Sequence, residues 1–255
     1  EIRDELLQFK IQDGIGILKM NTFGIFGWKK LEKDYAVFFK EVFKEIRKEK
    51  VAHLIIDMRN NGGGGDPMAE ELFTYLDLDS IIIDDRVSKT RYKQFPESLK
   101  PYCQTWGQPW YFELNPDHVD EEGYYVFPED AQVKEANPKK RLHFEGNLYW
   151  LTDARNASLA YYTAMAVKKN ELGVLIGEET GGNLRGINGG SILFLKLPSS
   201  EIEIDFPIMG DFRMGTHPNQ GVMPDYPVRT QAEDLAEGRD RQLEFAIQLA
   251  QNNKK

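Results

Sequence analysis

"HLIIDMRNNGGGGDPMAEEL", residues 53–72, sets four consecutive glycines, Gly62 to Gly65, between an apolar run and an apparent helix. Ordered glycine is entropically costly. A run kept in such a place serves positive φ angles or lets backbone amides approach something closely. The preceding "VAHLIID" (51–57) is nearly continuous in its apolar character rather than alternating, which predicts a strand buried on both faces. After the glycines, Asp66 reads as an N-cap and Pro67 as the first helical residue.

Upstream, "IGILKM" (15–20) reads as a strand. "DYAVFFKEVFKEIRKE" (34–49) carries Tyr35, Phe38, Phe39, Val42, Phe43 and Ile46 at helical spacing. The first third is therefore β-α-β-α, the pattern of a parallel sheet with crossover helices. Downstream the rhythm breaks. Residues 86–143 are rich in Pro, aromatic and charged residues without a clean period, and read as an insertion whose Trp and Tyr residues form a small satellite core or a substrate-facing lid. The rhythm returns with a strand at "NLYWLT" (147–152), a helix at "SLAYYTAMAVKKN" (158–170) and a strand at "GVLIG" (173–177). "SILFLKL" (191–197) and "EIEIDF" (201–206) alternate like an antiparallel hairpin, and "EGRDRQLEFAIQLAQ" (237–251) reads as a closing helix.

The 255 residues, 41% of them hydrophobic, suffice for one large domain or one with an inserted subdomain. A net charge of -9 argues against nucleic acid or an anionic membrane as the main partner. The single cysteine, Cys103, has no adjacent base and reads as an inert thiol. The four histidines, His53, His118, His143 and His217, are scattered without metal-ligand spacing. No metal or cofactor is expected. There is no transmembrane run and no signal peptide. The first residue is Glu1 rather than Met, so the chain reads as an excised or mature piece.

Three segments carry possible chemistry. Amides of a glycine loop beside a helix start can hold a phosphate or an oxyanion. A phosphate loop needs GxxxxGK[ST], whereas Asp66 and Pro67 follow here; a structural tight turn is the plain alternative. In "LYWLTDARNASLAYY", Ser158 stands where a strand passes through a short loop into a helix. It reads either as a cap or as a nucleophile on a sharp turn, with the Leu159 amide beside it. In "GVLIGEETGGNLRGINGG" (173–190) the recurrent glycines again suit close approach or repeated turning.

With these segments in view, "LIIDMRNNGGGG" resembles the hydrophobic-D-x-R-x-N-x-GG segment of the tail-specific, or C-terminal processing, serine proteases. "TDARNASLA" is similar to that family's nucleophile segment, "GVLIGEETGGN" to its G-E-x-T-x-G segment and "NQGVMPDYPV" (219–228) to its G-V-x-P-D segment. The four stand in the family's order. The resemblance implies a crotonase-like α/β core over residues 10–251, helices packed on the sheet, and the irregular insertion at 86–143. It implies Ser158 as nucleophile, with the Leu159 amide and a Gly62 or Gly63 amide as the oxyanion hole. The substrate it implies is a peptide or protein, lying extended beside an edge strand for which "SILFLKL" is the candidate. It also suggests an envelope, periplasmic or secreted location.

One departure matters. The family's Ser-Lys branch places its general-base lysine where Asn183 stands. Arg185, nearby, is permanently charged and cannot act as a base. The chain looks instead like the tricorn-like branch, whose histidine base lies upstream of the core. No histidine precedes His53, and His53 falls within a strand, so the base is expected outside this chain. His217 is the in-chain alternative, with Gln220 or Asn219 near the position of the branch's relay residue. Two other readings remain open. One is an inactive ligand- or peptide-binding module on the same fold, as in interphotoreceptor retinoid-binding protein, which resembles this family. The other is a crotonase-type acyl-thioester enzyme.

Overall fold

The computed structural model describes residues 6–24, 34–76, 80–84, 86–105, 114–127, 132–135 and 142–253. In chain order the elements are β1 (Leu7–Gln12), β2 (Ile15–Met20), α1 (Asp34–Lys48), β3 (His53–Asp57), α2 (Asp66–Phe73), β4 (Ser80–Asp84), β5 (Arg86–Thr90), β6 (Cys103–Gln104), β7 (His118–Val119), β8 (Tyr125–Val126), β9 (Gln132–Glu135), β10 (Asn147–Thr152), α3 (Ser158–Lys169), β11 (Val174–Gly177), β12 (Gly186–Ile187), β13 (Ile192–Lys196), β14 (Glu203–Pro207), β15 (Gly210–Arg213), β16 (Tyr226–Pro227), α4 (Ala232–Glu237) and α5 (Arg241–Asn252). The chain divides into two compact units. The first comprises Glu1–Ile83, Val133–Gly182 and Gln220–Lys255, the second Asp84–Gln132 and Asn183–Asn219.

The first unit is built on a six-stranded sheet of order β1-β2-β3-β10-β11-β16. β1 and β2 form an antiparallel hairpin; the remaining neighbours are parallel. Alternation sorts the side chains onto two faces. Ile15, Ile17, Ile55, Tyr149, Leu151 and Ile176 pack against Ala246 and Ala250 of α5. Trp150 points to the opposite face and meets Phe73 of α2 at 6.5 Å between ring centroids, and Phe43 of α1 stacks on Tyr75 at 4.4 Å. Helices thus cover both faces, as an α/β core requires. β3 is buried along all but its first residue, in keeping with its continuous apolar run.

The second unit holds two antiparallel sheets, β12-β15-β5-β8-β7 and β14-β13-β6. Its small core contains Phe95, Leu193 and Ile208, with Tyr92, Cys103 and Met209 against them. The structural division differs from the insertion expected at 86–143. Residues 183–219, expected within the core, group with 84–132, while residues 133–143, expected in the insertion, group with the first unit. The strands β6, β7 and β8 are two residues each, too short for alternation to register. Of the Trp and Tyr residues of 86–143 expected as a satellite core or lid, Tyr92 packs on this small core, while Trp106, Trp110 and Tyr111 lie outside the described residues. "SILFLKL" is not an edge, because β13 pairs with β14 on one side and β6 on the other. Helix α2 begins one residue earlier than expected: Gly65 is its N-cap and Asp66 its first residue.

Candidate active site

The site is built at the C-terminal ends of β3 and β10, where a parallel sheet delivers its loops side by side. Beyond β3, Asp57 and Arg59 turn back on each other. The Arg59 guanidinium donates to Asp57 through Nε (2.8 Å) and Nη2 (2.7 Å), to Asp240 through Nη1 and Nη2 (both 2.7 Å), and to Gln242 through Nη1 (3.0 Å). All five guanidinium N–H groups are therefore used, by β3 on one side and the start of α5 on the other. Burial opposes the charge, but the two carboxylates outweigh it and raise the Arg59 pKa above its ordinary value. Burial likewise opposes ionisation of Asp240, and Arg59 outweighs it, holding that carboxyl below its usual range.

Two buried asparagines join the loops. Asn61 donates from Nδ2 to the Met20 carbonyl (3.0 Å) and accepts the Gly63 N–H on Oδ1 (2.9 Å). Asn156, from the loop after β10, donates from Nδ2 to the carbonyls of Met58 (2.6 Å) and Asn61 (3.2 Å) and accepts the Asp153 N–H (2.9 Å). Asp153 in turn accepts the Asn60 N–H at 3.0 Å. The glycine loop and the serine loop thus share one hydrogen-bonded frame, with Asn61 and Asn156 both 0% exposed.

Ser158 opens α3 with φ of +48°. A non-glycine residue in this region is uncommon and strained by about 1–3 kcal/mol. The N-cap of α3 is Ala157, with no side-chain cap, so Ser158 is not a capping serine. Its hydroxyl makes no hydrogen bond among the described residues. The Leu159 N–H, in the first turn of α3, has no partner among them either.

The two loops meet at Gly63. With φ of +102°, a Cβ there would stand 2.8 Å from the Ala157 carbonyl oxygen, 2.8 Å from Ser158 Cβ and 2.9 Å from the Leu159 nitrogen. Only glycine fits. Its own amide is committed to Asn61, so Gly63 is a spacer in this structure, not a free donor. Gly62 is the open position: it is exposed, nothing would lie within 4 Å of a Cβ there, and its N–H has no partner among the described residues. Of the two loop glycines expected as oxyanion donors, Gly62 keeps a free amide.

The remaining motifs make structural contacts. Thr180 and Val222 bind each other's loops (Thr180 N–H to Val222 C=O, 3.2 Å; Val222 N–H to Thr180 Oγ1, 2.9 Å), and Glu179 accepts the Gly221 N–H at 2.6 Å. Asp225 accepts the Leu175 N–H at 2.8 Å and pairs with Lys168 at 2.9 Å. A cavity of about 410 Å³ lies beside Ala154, lined by Glu178, Glu179, Thr180, Met223 and Arg229 among others.

No histidine stands within the loop frame. His53 is the first residue of β3, at the opposite end of that strand from the glycines. Its Nδ1 accepts from Asn147 Nδ2 and the Tyr149 hydroxyl, each at 3.3 Å, and burial lowers its pKa. His143 pairs with Glu145 at 2.7 Å and His118 with Asp117 at 3.1 Å. His217 belongs to the second unit, where Nε2 donates to the Met214 carbonyl (2.8 Å) and Nδ1 faces Arg213 (3.5 Å). Gln220 is exposed in the first unit. Asn183, at the lysine position of the Ser-Lys pattern, supports a turn: it accepts the Arg185 N–H (2.9 Å) and donates to Asn219 (2.8 Å). Burial raises the Cys103 thiol, which keeps it protonated at neutral pH. Among the described residues no group of three or more His, Cys, Asp or Glu could hold a metal ion.

Fold and site together define an α/β protein that presents a strained serine against a glycine loop. The chain belongs to peptidase family S41, whose sequence pattern matches residues 14–228. No curated protein sequence matches it. Among solved structures it is similar to a protein from Parabacteroides merdae ATCC 43184 assigned as a peptidase (19% identity, TM-score 0.56, covering 96% of this chain and 64% of that one). It is also similar to the photosystem II D1 C-terminal processing protease (19%, 0.51, 88% and 48%) and to mature CPAF (14%, 0.58, 98% and 55%). At these identities the likeness is one of fold. The chain spans about half to two-thirds of the length of these relatives. Among the described residues no helix is long and apolar enough to cross a membrane.

Proposed function

We propose that this chain carries the nucleophile and oxyanion hole of a serine endopeptidase, with Ser158 attacking the scissile carbonyl. The observation that carries this reading is Ser158 itself. It is held at φ of +48° beside Gly63, it caps nothing, and two N–H groups without partners, those of Gly62 and Leu159, belong to the same two loops. Strain held where no stability argument needs it points to chemistry.

In the proposed reaction the Ser158 oxygen adds to the peptide carbonyl while a general base takes its proton. The Gly62 and Leu159 amides stabilise the tetrahedral oxyanion, each donor being worth about 2.7–4 kcal/mol. Collapse expels the amine, which takes up the proton, and leaves an acyl-serine that water hydrolyses. The bare Ser158 hydroxyl favours a base supplied from outside the described residues of the first unit. His217 or a group upstream of this chain are the two sources. The substrate is a peptide or protein, and the location an envelope or secreted compartment.

The same bare hydroxyl also favours a second reading, an inactive binding module on this fold. Both are tested by treating the chain, and an N-terminally extended form, with a fluorophosphonate probe and a mixed peptide library, each with and without Ser158→Ala. Labelling and cleavage that depend on Ser158 support the peptidase. Labelling only in the extended form assigns the base upstream, and loss with His217→Ala assigns it to His217. Absence of both labelling and cleavage in both forms sinks the catalytic reading.

A further inference from the structure

Strand β14, Glu203–Pro207, has β13 as its only strand partner among the described residues. The register pairs Leu193 with Phe206 and Leu195 with Ile204. The Leu197 N–H donates to the Ile202 carbonyl and the Ile208 N–H to the Ser191 carbonyl, both at 2.9 Å. In an antiparallel ladder these bonds alternate. Residues 202, 204, 206 and 208 therefore turn their backbone groups toward β13. Glu203 and Asp205 turn theirs to the open side, and Pro207 adds a carbonyl there without an N–H.

The side chains alternate too. Ile204 and Phe206 share the face of Leu193, which is 0% exposed in the core of this unit. Yet Ile202, Ile204 and Phe206 are 59%, 42% and 45% exposed. Glu203 and Asp205 stand exposed on the other face. The open edge thus offers backbone hydrogen bonds, an uncovered continuation of an apolar face, and an acidic row.

A second copy of this chain is a poor occupant. Antiparallel pairing of two such edges sets Glu203 opposite Asp205 twice, and like charges directly opposite are destabilising. The net charge of -9 on each copy adds to that. We propose that β14 is a strand-addition site for an extended polypeptide segment that alternates apolar and basic residues. The apolar residues of that segment extend the Ile204–Phe206 row, and its basic residues face Glu203 and Asp205. The site is independent of whether Ser158 is catalytic.

The test uses the full chain with Ser158→Ala, so that no peptide is cut. A short fluorescent peptide alternating lysine with valine and isoleucine is titrated by anisotropy, beside a counterpart with glutamate in place of lysine. Hydrogen exchange is followed at the Glu203 and Asp205 amides. The lysine peptide is expected to bind, to weaken with added salt, and to protect both amides. Combined Glu203→Lys and Asp205→Lys should weaken it about tenfold and let the glutamate peptide bind instead; that gain also shows the variant is folded. Absence of binding, equal binding of both peptides, or protection elsewhere than β14 overturns the proposal. So does protection of these amides that rises with protein concentration without peptide, which would mean self-pairing.

Discussion

The two ends of the central sheet are built from similar materials and do different things with them. At the N-terminal end, His53, Asn147, Tyr149 and Asn253 form a polar group in which Asn253 donates to the Tyr149 hydroxyl at 3.2 Å. Gly146 and Gly173 are there because a Cβ would strike the Ala52 and Leu148 carbonyls. Each feature answers to packing. At the C-terminal end, Asn61, Asn156 and Arg59 do the same work, but something is left over: a strained serine and two idle amides. The lesson is that glycine-rich loops are uninformative in themselves. What marks a site is a residue whose conformation the surrounding packing does not require.

Ser158 is the largest test of that contrast. Ser158→Gly should abolish labelling and cleavage, by on the order of 10³-fold or more, while stability stays equal to or above wild type because glycine tolerates the backbone angle. A clear fall in the denaturation midpoint would show that the serine side chain is structural, like its counterparts at the other end. Next comes Arg59→Met, which leaves Asp57 and Asp240 without their cation. A loss of about 3–5 kcal/mol is expected in chemical denaturation; a loss under about 1 kcal/mol would refute the clamp.

Adjacent glycines sharpen the contrast further. Gly63→Ala should cost about 2–3 kcal/mol, from the left-handed backbone and the contacts at 2.8 Å, and lower activity about 100-fold by displacing the Leu159 amide. Gly62→Ala, with open space around it, should change stability by less than about 1 kcal/mol. Equal effects at the two positions would contradict their division of labour.

Two smaller effects are read by pH. The Asp240 carboxyl is held below its usual range, so its contribution is fully present above about pH 4 and is lost as pH falls through the lowered value. The stability gap between wild type and Asp240→Asn should therefore be open at neutral pH and close in acid. At the opposite end burial keeps His53 neutral, so the folded state resists its protonation. Stability is complete above about pH 6.5 and declines as pH falls toward the lowered value. His53→Gln should flatten that slope, and an unchanged slope would remove His53 as its source.

Much of the first unit was legible in the sequence because its signals are local. The continuous run of β3, the glycines before α2 with Pro67 in its first turn, and the returning βα rhythm at 147–177 all fall within short windows. The β1–β2 hairpin carries a local signal as well: Asp13 and Gly14, both at positive φ, join the two strands, and an Asp-Gly pair between apolar runs is a strong hairpin signal. The site was legible in part. Ser158 and the glycines stand in motifs, but the choice between Gly62 and Gly63 depends on where Asn61 sends its side chain. The Arg59 clamp depends on a partner 181 residues away, and no window contains both. The second unit escaped because its strands are short and its two segments are separated by fifty residues of the first, 133–182.

That distance between Arg59 and Asp240 also orders events during synthesis. Ser158, the proposed nucleophile, and its loops leave the ribosome long before the start of α5 does. Until residues 240–242 arrive, the guanidinium that fixes the end of β3 has only Asp57 to hold. A nascent or prematurely terminated chain would carry every residue of the proposed site, yet its glycine loop would hang from an unfastened strand. Arrival of α5 would itself act as the safety catch.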